Sequence, residues 1–291
     1  MLSYKSRGIL KKMNKKLNNL NDKNFRRIVG VKRWTFEYLL RLLNGVKRKK
    51  HKAGPKEKLS NKNKLLLTLQ YWSNYNSLLE VGNLFKVSES TACRIVKQTE
   101  STLAKTGLCK LPGKKAFLNT TEEVVIIDVT ECPIERPKRK KQGRLRNRQK
   151  YYYSGKKKRH TIKAQIVVVK NKICSTAFSN GRRHDFRLFK ESKTRLHQNK
   201  TAKVDSGYQG LQKIHSNTDL PKKGTKKSPL TKDNKIKNRE QARDRVCVEH
   251  VIGWVKKFKI ISTKYRNRRK RFALRFNLIC GIYNYENRGE L

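Results

Sequence analysis

The sequence predicts an α/β domain preceded by an all-α region that contains a helix-turn-helix. Three observations carry this. Apolar residues recur at helical spacing as far as about Lys105. A β-branched run, a hairpin pattern and a short third strand follow, and helical spacing returns from about Asn238.

Residues 1–54 read as a basic helical arm and linker. Met1 to Leu20 is basic, free of acids and weakly amphipathic, and it lacks the apolar core and small-residue cleavage site of a secretory leader. Trp34-Thr35-Phe36-Glu37-Tyr38-Leu39-Leu40-Arg41-Leu42-Leu43 has the i, i+3, i+4 recurrence of an amphipathic helix. Lys47 to Lys52, followed by Gly54-Pro55, is a basic linker.

Residues 55–112 carry the helix-turn-helix pattern. Leu65-Leu66-Leu67, with Leu69, Tyr71 and Trp72, builds a first core helix. Ser77-Leu78-Leu79-Glu80 is a capping box: the Ser hydroxyl accepts from the N–H three residues on, and the Glu carboxylate accepts from the Ser N–H. That helix runs through Val81 and Leu84 to Phe85, Lys86-Val87 turns the chain, and Ser88 caps a helix from Glu89 to about Leu103. With Val81, Leu84, Phe85, Val87, Ala92, Ile95 and Val96 turned inward, the second helix presents Glu89, Ser90, Thr91, Arg94 and Lys97 to a DNA groove. Gly82 stands where a small Ala is usual, and Lys86 where the turn usually has Gly. A helical hairpin in a bundle is the plainer alternative.

Residues 113–291 read as the α/β domain. Glu123-Val124-Val125-Ile126-Ile127-Asp128 is a buried central strand ending in a carboxylate. His160 to Val169 and Ile173 to Phe178 form a hairpin turning at Asn171-Lys172. Ala202-Lys203-Val204 is a short strand ending in Asp205, and helices run from about Asn238 to Ile260 and from Phe272 to Tyr285. Between the first strand and the hairpin lies a loop of basic residues interleaved with Tyr151-Tyr152-Tyr153, running from Pro137 to Lys156, Lys157, Lys158 and Arg159. That mixture suits phosphate contacts and stacking on unpaired bases.

Charge narrows the partners. The 291 residues include 74 Lys+Arg and 21 Asp+Glu, a formal net charge of +53. Nucleic acid is the polyanion with the charge density to neutralise such a chain. The longest apolar stretches, such as Ile166-Val167-Val168-Val169, fall far short of the roughly 20 residues a membrane span needs, so no membrane partner is expected. Six dispersed cysteines with no C-x-x-C pair give no zinc spacing and suit a reducing compartment, so a cytoplasmic location is expected.

Three acids stand where solubility does not require them. Asp128 and Asp205 end strands, and Glu249 lies in the helix from Arg245 to Lys256. At about 100° per residue, Arg245, Glu249 and Lys256 fall within roughly 40° of one another on that helix. Acids from neighbouring strand ends and a covering helix would form an all-oxygen ligand set, which Mg²⁺ or Mn²⁺ prefers. Two such ions can drive phosphodiester chemistry. Singly, each acid reads more readily as an ion-pair or capping residue.

Several stretches together resemble the DDE-superfamily transposases of bacterial insertion sequences, in the branch that includes eukaryotic Harbinger-like transposases. They are Ile126-Ile127-Asp128-Val129-Thr130-Glu131-Cys132-Pro133-Ile134, Tyr152 to Thr161, Gly181-Arg182-Arg183-His184-Asp185-Phe186, Asp205-Ser206-Gly207-Tyr208, Val248-Glu249-His250-Val251 and Tyr265-Arg266-Asn267-Arg268-Arg269. They occur in family order and span most of residues 60–288. The resemblance implies an RNase-H-like catalytic domain with Asp128, Asp205 and Glu249 as catalytic acids binding two divalent ions, Mg²⁺ or Mn²⁺. It implies cleavage at element ends, attack of the freed 3′-hydroxyl on target DNA, and phosphate grip by Arg245, Lys256 and the basic loop. Asp185 is an auxiliary acid or a turn cap, and Tyr208 a stacking or packing group.

The partners so implied are the terminal inverted repeats and target DNA of a bacterial nucleoid. A homo-oligomer is expected, because two ends must be held together. The rival reading is a transposase-derived protein that binds DNA without catalysis. A basic RNA-binding or ribosome-associated protein is a third reading.

Overall fold

In a computed structural model of the chain, residues 4–46, 57–113, 124–138, 148–224 and 229–287 are described. The expected linker from Lys47 to Pro55 and the middle of the basic loop, 139–147, lie outside them. The chain divides into two compact units: residues 1–109 with 257–260 and 274–286, and residues 110–256 with 261–273 and 287–291.

The first unit is helical. It contains α1 (Tyr4–Asn18), α2 (Asp22–Val29), α3 (Arg33–Gly45), α4 (Asn61–Asn74), α5 (Leu78–Leu84) and α6 (Glu89–Lys105). Helix α2 has no counterpart in the apolar periodicity. Local chemistry bounds it instead: the Asn21 side chain accepts from the Asn24 N–H, and Gly30 ends the helix at φ 91°. Leu10, Leu17, Phe25, Val29, Phe36 and Leu39 are buried, as are Leu65, Leu67 and Trp72. The stretch expected as a separate arm therefore packs within the same unit as the helix-turn-helix, and compactness divides the chain differently from composition. The C-terminal helix, α11 (Phe272–Glu286), also contributes to this unit from Leu274 onward. Its Arg275 Nε donates to the buried Glu100 carboxylate at 2.6 Å, and Trp72 Nε1 donates to the same oxygen at 3.2 Å.

The helix-turn-helix forms as its caps dictate. Both halves of the Ser77–Glu80 capping box are present, and the Ser88 hydroxyl accepts from the Thr91 N–H. Val81, Phe85, Val87, Ala92, Ile95 and Val96 are buried, whereas Leu84 is 48% exposed and does not join the core as expected. The short helix turns Leu84 outward. Both unusual turn residues have physical explanations. A Cβ at Gly82 would lie 2.7 Å from the Val87 carbonyl oxygen, so the close approach of the turn requires glycine. Lys86 adopts φ 57°, the left-handed conformation for which glycine is usual.

The second unit is built on a six-stranded sheet: β1 (Val124–Pro133), β2 (Tyr153–Ser154), β3 (Arg159–Val169), β4 (Lys172–Asn180), β5 (Thr201–Val204) and β6 (Thr218–Asp219). Strand β3 pairs antiparallel with β1 on one side and β4 on the other, and β2 pairs with the start of β3. Strands β5 and β6 extend the sheet in parallel beyond β1. Three antiparallel strands followed by parallel ones, with helices between and after, is the mixed α/β arrangement expected of an RNase-H-like domain. The hairpin turns at Lys170 and Asn171, φ 41° and 57°, one residue earlier than the sequence suggests, because these two take the left-handed conformation of a tight hairpin.

Among the described residues, four further helices precede α11: α7 (Arg148–Tyr152), α8 (Asp185–Ser192), α9 (Lys232–Lys256) and α10 (Lys259–Ser262). Helix α8 packs on β3 and β4, and α9 on β1 and β5. Val125, Ile127, Val167, Val204 and Tyr208 share one buried cluster. Helix α9 begins earlier than expected and stops at Lys256 rather than running to Ile260. Of its residues, Val248, Val251, Trp254 and Val255 are buried, so its C-terminal part supplies the apolar packing, while Asn238 and Gln241 hydrogen-bond to Lys222 and Asp219 nearer its start.

Candidate active site

Strand pairing sets the site. The register of β1 with β5 runs from Val124↔Thr201 to Ile127↔Val204, so Asp128 and Asp205 each follow the last paired residue. Strand β1 does not end at Asp128 as expected. It continues to Pro133, because Val129 and Thr130 keep pairing with Gln165 and Ala164 of β3. What ends there is β5, and a cleft of about 470 Å³ opens beside its end. Asp128, Asp205, Asp185, Glu131, Lys163, Arg245 and Lys256 line it, together with the turn Gly155-Lys156-Lys157 and Arg182-Arg183-His184.

Each acid is held differently. The Val129 N–H donates to Asp128 Oδ1 at 2.8 Å, and Arg245 Nη2 lies 3.8 Å from the same oxygen. Burial pushes the Asp128 carboxyl up to about 6; Arg245 and the Val129 N–H oppose that rise, and the charges of Asp205 and Asp185 add to it. Asp205 caps the 3₁₀ turn Ser206–Tyr208 by accepting from the Gly207 N–H at 2.8 Å. Asp185 is the first residue of α8, and its Oδ1 accepts from Lys163 Nζ at 2.7 Å. Glu131 accepts from the Thr161 hydroxyl at 2.9 Å.

Glu249 is exposed on α9 and is not among the residues lining the cleft. Arg245 and Lys256, on the same stripe of that helix, do line it. Arg245 Nε is buried without a hydrogen-bond partner, a donor suited to a phosphate oxygen. Of the basic turn, Lys156 and Lys157 reach the cleft, while Lys158 and Arg159 are exposed beside them. Ser90, Thr91, Arg94 and Lys97 belong to α6 in the helical unit. There Ser90, Arg94 and Lys97 are exposed, and Arg94 Nη2 donates to the Thr91 hydroxyl at 3.4 Å.

Sequence reasoning missed Lys163 and Glu131. Lys163 carried one signal, a lone cation inside the strand pattern Thr161-Ile162-Lys163-Ala164-Gln165-Ile166. The acids of the cleft, Asp128, Asp185, Asp205 and Glu131, offer carboxylate oxygens, which suit Mg²⁺ or Mn²⁺. Among the described residues no three or more His, Cys, Asp or Glu already stand close enough together to hold a metal ion. Asp128 and Asp205, set side by side by the strand register, are carboxylates of the kind such an ion takes.

This combination, paired aspartates beside a strand end under a cationic helix and a separate helix-turn-helix unit, defines a nuclease-type protein that binds DNA. The chain belongs to the DDE superfamily of endonucleases: the family described as DDE superfamily endonuclease matches residues 127–284, and the helix-turn-helix of DDE superfamily endonuclease matches residues 57–109. It is 41% identical over 275 residues to a protein of Microchaete diplosiphon named "Probable transposase for insertion sequence element IS702", covering 93% of this chain and 97% of that relative. No solved structure matches it.

Proposed function

We propose that the chain is the DNA transposase of an insertion sequence: it binds the terminal inverted repeats of its element, cleaves there with divalent ions and joins the freed 3′-hydroxyl to target DNA. The observation that carries this reading is the juxtaposition of Asp128 and Asp205 at the end of β5, with Arg245 and Lys256 in the same cleft.

Each residue then has a task. Asp128 and Asp205 hold the divalent ions, and Glu249, one turn beyond Arg245 on the stripe it shares with Lys256, is the third acid that swings in. When bound, the ions supply activation of the attacking hydroxyl and stabilisation of charge on the leaving oxygen. Arg245, Lys256, Lys156 and Lys157 grip phosphates beside the scissile bond, with Lys158 and Arg159 extending the basic track. Water attacks the scissile phosphorus and the P–O3′ bond breaks, leaving a 5′-phosphate and a free 3′-hydroxyl; that hydroxyl then attacks a target phosphodiester, forming a new P–O bond as the target's own 3′-oxygen leaves. Ser90, Thr91, Arg94 and Lys97 of α6 read or grip the double-stranded ends. Two ends must be synapsed for joining, so the working form is a homo-oligomer on nucleoid DNA.

The test is strand cleavage, in Mg²⁺ or Mn²⁺, of a DNA fragment carrying this gene with its native flanks. The wild type is expected to cut at discrete ends, and Asp205→Asn to lose cutting by a factor of at least about 10³ while still binding DNA. Equal binding by both proteins without cleavage by either would leave a transposase-derived DNA-binding protein instead.

A further inference from the structure

Asp185 shares the cleft of Asp128 and Asp205 and comes from a third element, the start of α8. Two carboxylates converge on one glycine there. Asp185 Oδ2 and Asp205 Oδ1 each lie 2.9 Å from the position a Cβ on Gly207 would take. The side chains of Asp185 and of Lys163, its ion-pair partner, are 23% and 12% exposed. Two acids of the cleft therefore carry protein cations: Lys163 on Asp185 and Arg245 on Asp128.

An independent observation comes from Tyr208. Its ring is fully buried and its hydroxyl has no hydrogen-bond partner, although the charges of Asp128, Asp185 and Asp205 all reach the phenol. A buried hydroxyl left unpaired costs about 1–3 kcal/mol, a cost that a water carried by an ion among those carboxylates would offset.

Resting on the metal-dependent reading above, we propose that Asp185 is a further carboxylate ligand for the divalent ion, paired with Lys163 until the ion displaces that ammonium. The ion pair explains why no three acids are already assembled. Mutual repulsion of Asp128, Asp185 and Asp205 is relieved by separate protein cations, and a divalent ion replaces them with one centre bound by oxygen. A Cβ on Gly207 would press on the Asp185 and Asp205 carboxylate oxygens, and glycine leaves them room to meet.

The experiment is a Mn²⁺ titration of the full chain without DNA, reading free Mn²⁺ by electron paramagnetic resonance. Asp185→Asn should bind Mn²⁺ about 10-fold or more weakly than wild type, and Asp185→Glu should recover part of the loss. Lys163→Met, which removes the competing ammonium, should bind several-fold more tightly. Circular dichroism and retained DNA binding establish that each variant is folded. If Asp185→Asn keeps wild-type affinity while Asp205→Asn loses it, Asp185 is no ligand and this inference alone fails. Weaker binding by Lys163→Met would overturn the displacement step. Failure of the wild type itself to bind Mn²⁺ would overturn both this inference and the metal-dependent reading.

Discussion

Asp128 is a buried carboxyl that costs the fold stability wherever it is ionised. Burial and two neighbouring carboxylates raise its pKa from 3.8 to about 6, so the folded state prefers the neutral acid. A carboxyl raised on folding contributes stability at pH below its unfolded value and loses that contribution as pH rises through about 6. At pH 8 in EDTA the ionised group is therefore a burden, and Asp128→Asn should be more stable than wild type by about 1–3 kcal/mol. At pH 4, close to the unfolded value, most of that advantage should vanish. Thermal unfolding of both proteins at the two pH values checks it, and an equal difference at both would contradict the assignment. The neighbouring positions of Asp128 and Asp205 were legible in part, because each follows a strand pattern and the pairing of those strands sets their ends side by side. Lys163 was legible only in part, because its partner lies on a helix whose docking the strand pattern does not state. The exposure of Glu249 was not legible at all: helical spacing gives its stripe, not how far the side chain reaches.

At the scale of elements, capping chemistry was the most readable signal. Ser77, Glu80 and Ser88 make the backbone contacts their spacing predicts. Helix α2 escaped notice because it is short and its limits rest on Asn21 and Gly30 rather than on an apolar stripe. The turn between α5 and α6 carries its own prediction. Lys86 holds a left-handed conformation that costs a non-glycine residue about 1–2 kcal/mol, so Lys86→Gly should stabilise the helical unit by up to about 1 kcal/mol. Gly82→Ala should destabilise it by about 1–3 kcal/mol, because the added methyl meets the Val87 carbonyl. Urea unfolding followed by tryptophan fluorescence measures both changes, and destabilisation by Lys86→Gly or stabilisation by Gly82→Ala would contradict the turn geometry.

At the scale of the whole molecule, charge and family give the same answer from different directions. A net charge of +53 calls for a polyanion, and the matched family acts on DNA. The return of the last helix to the N-terminal unit was not legible, because an almost uniformly apolar helix does not name its neighbour; the buried Glu100–Arg275 pair does. The most direct test of the central claim is joining. A short duplex ending in the element's own terminal repeat, with a free 3′-hydroxyl, is mixed with a supercoiled target plasmid and Mn²⁺. The wild type should covalently join the end to the plasmid, while Asp128→Asn, and wild type given a 3′-deoxy end, should yield no joined product. Joining by Asp128→Asn, or joining of the 3′-deoxy end, would contradict a strand transfer that depends on this cleft and that hydroxyl.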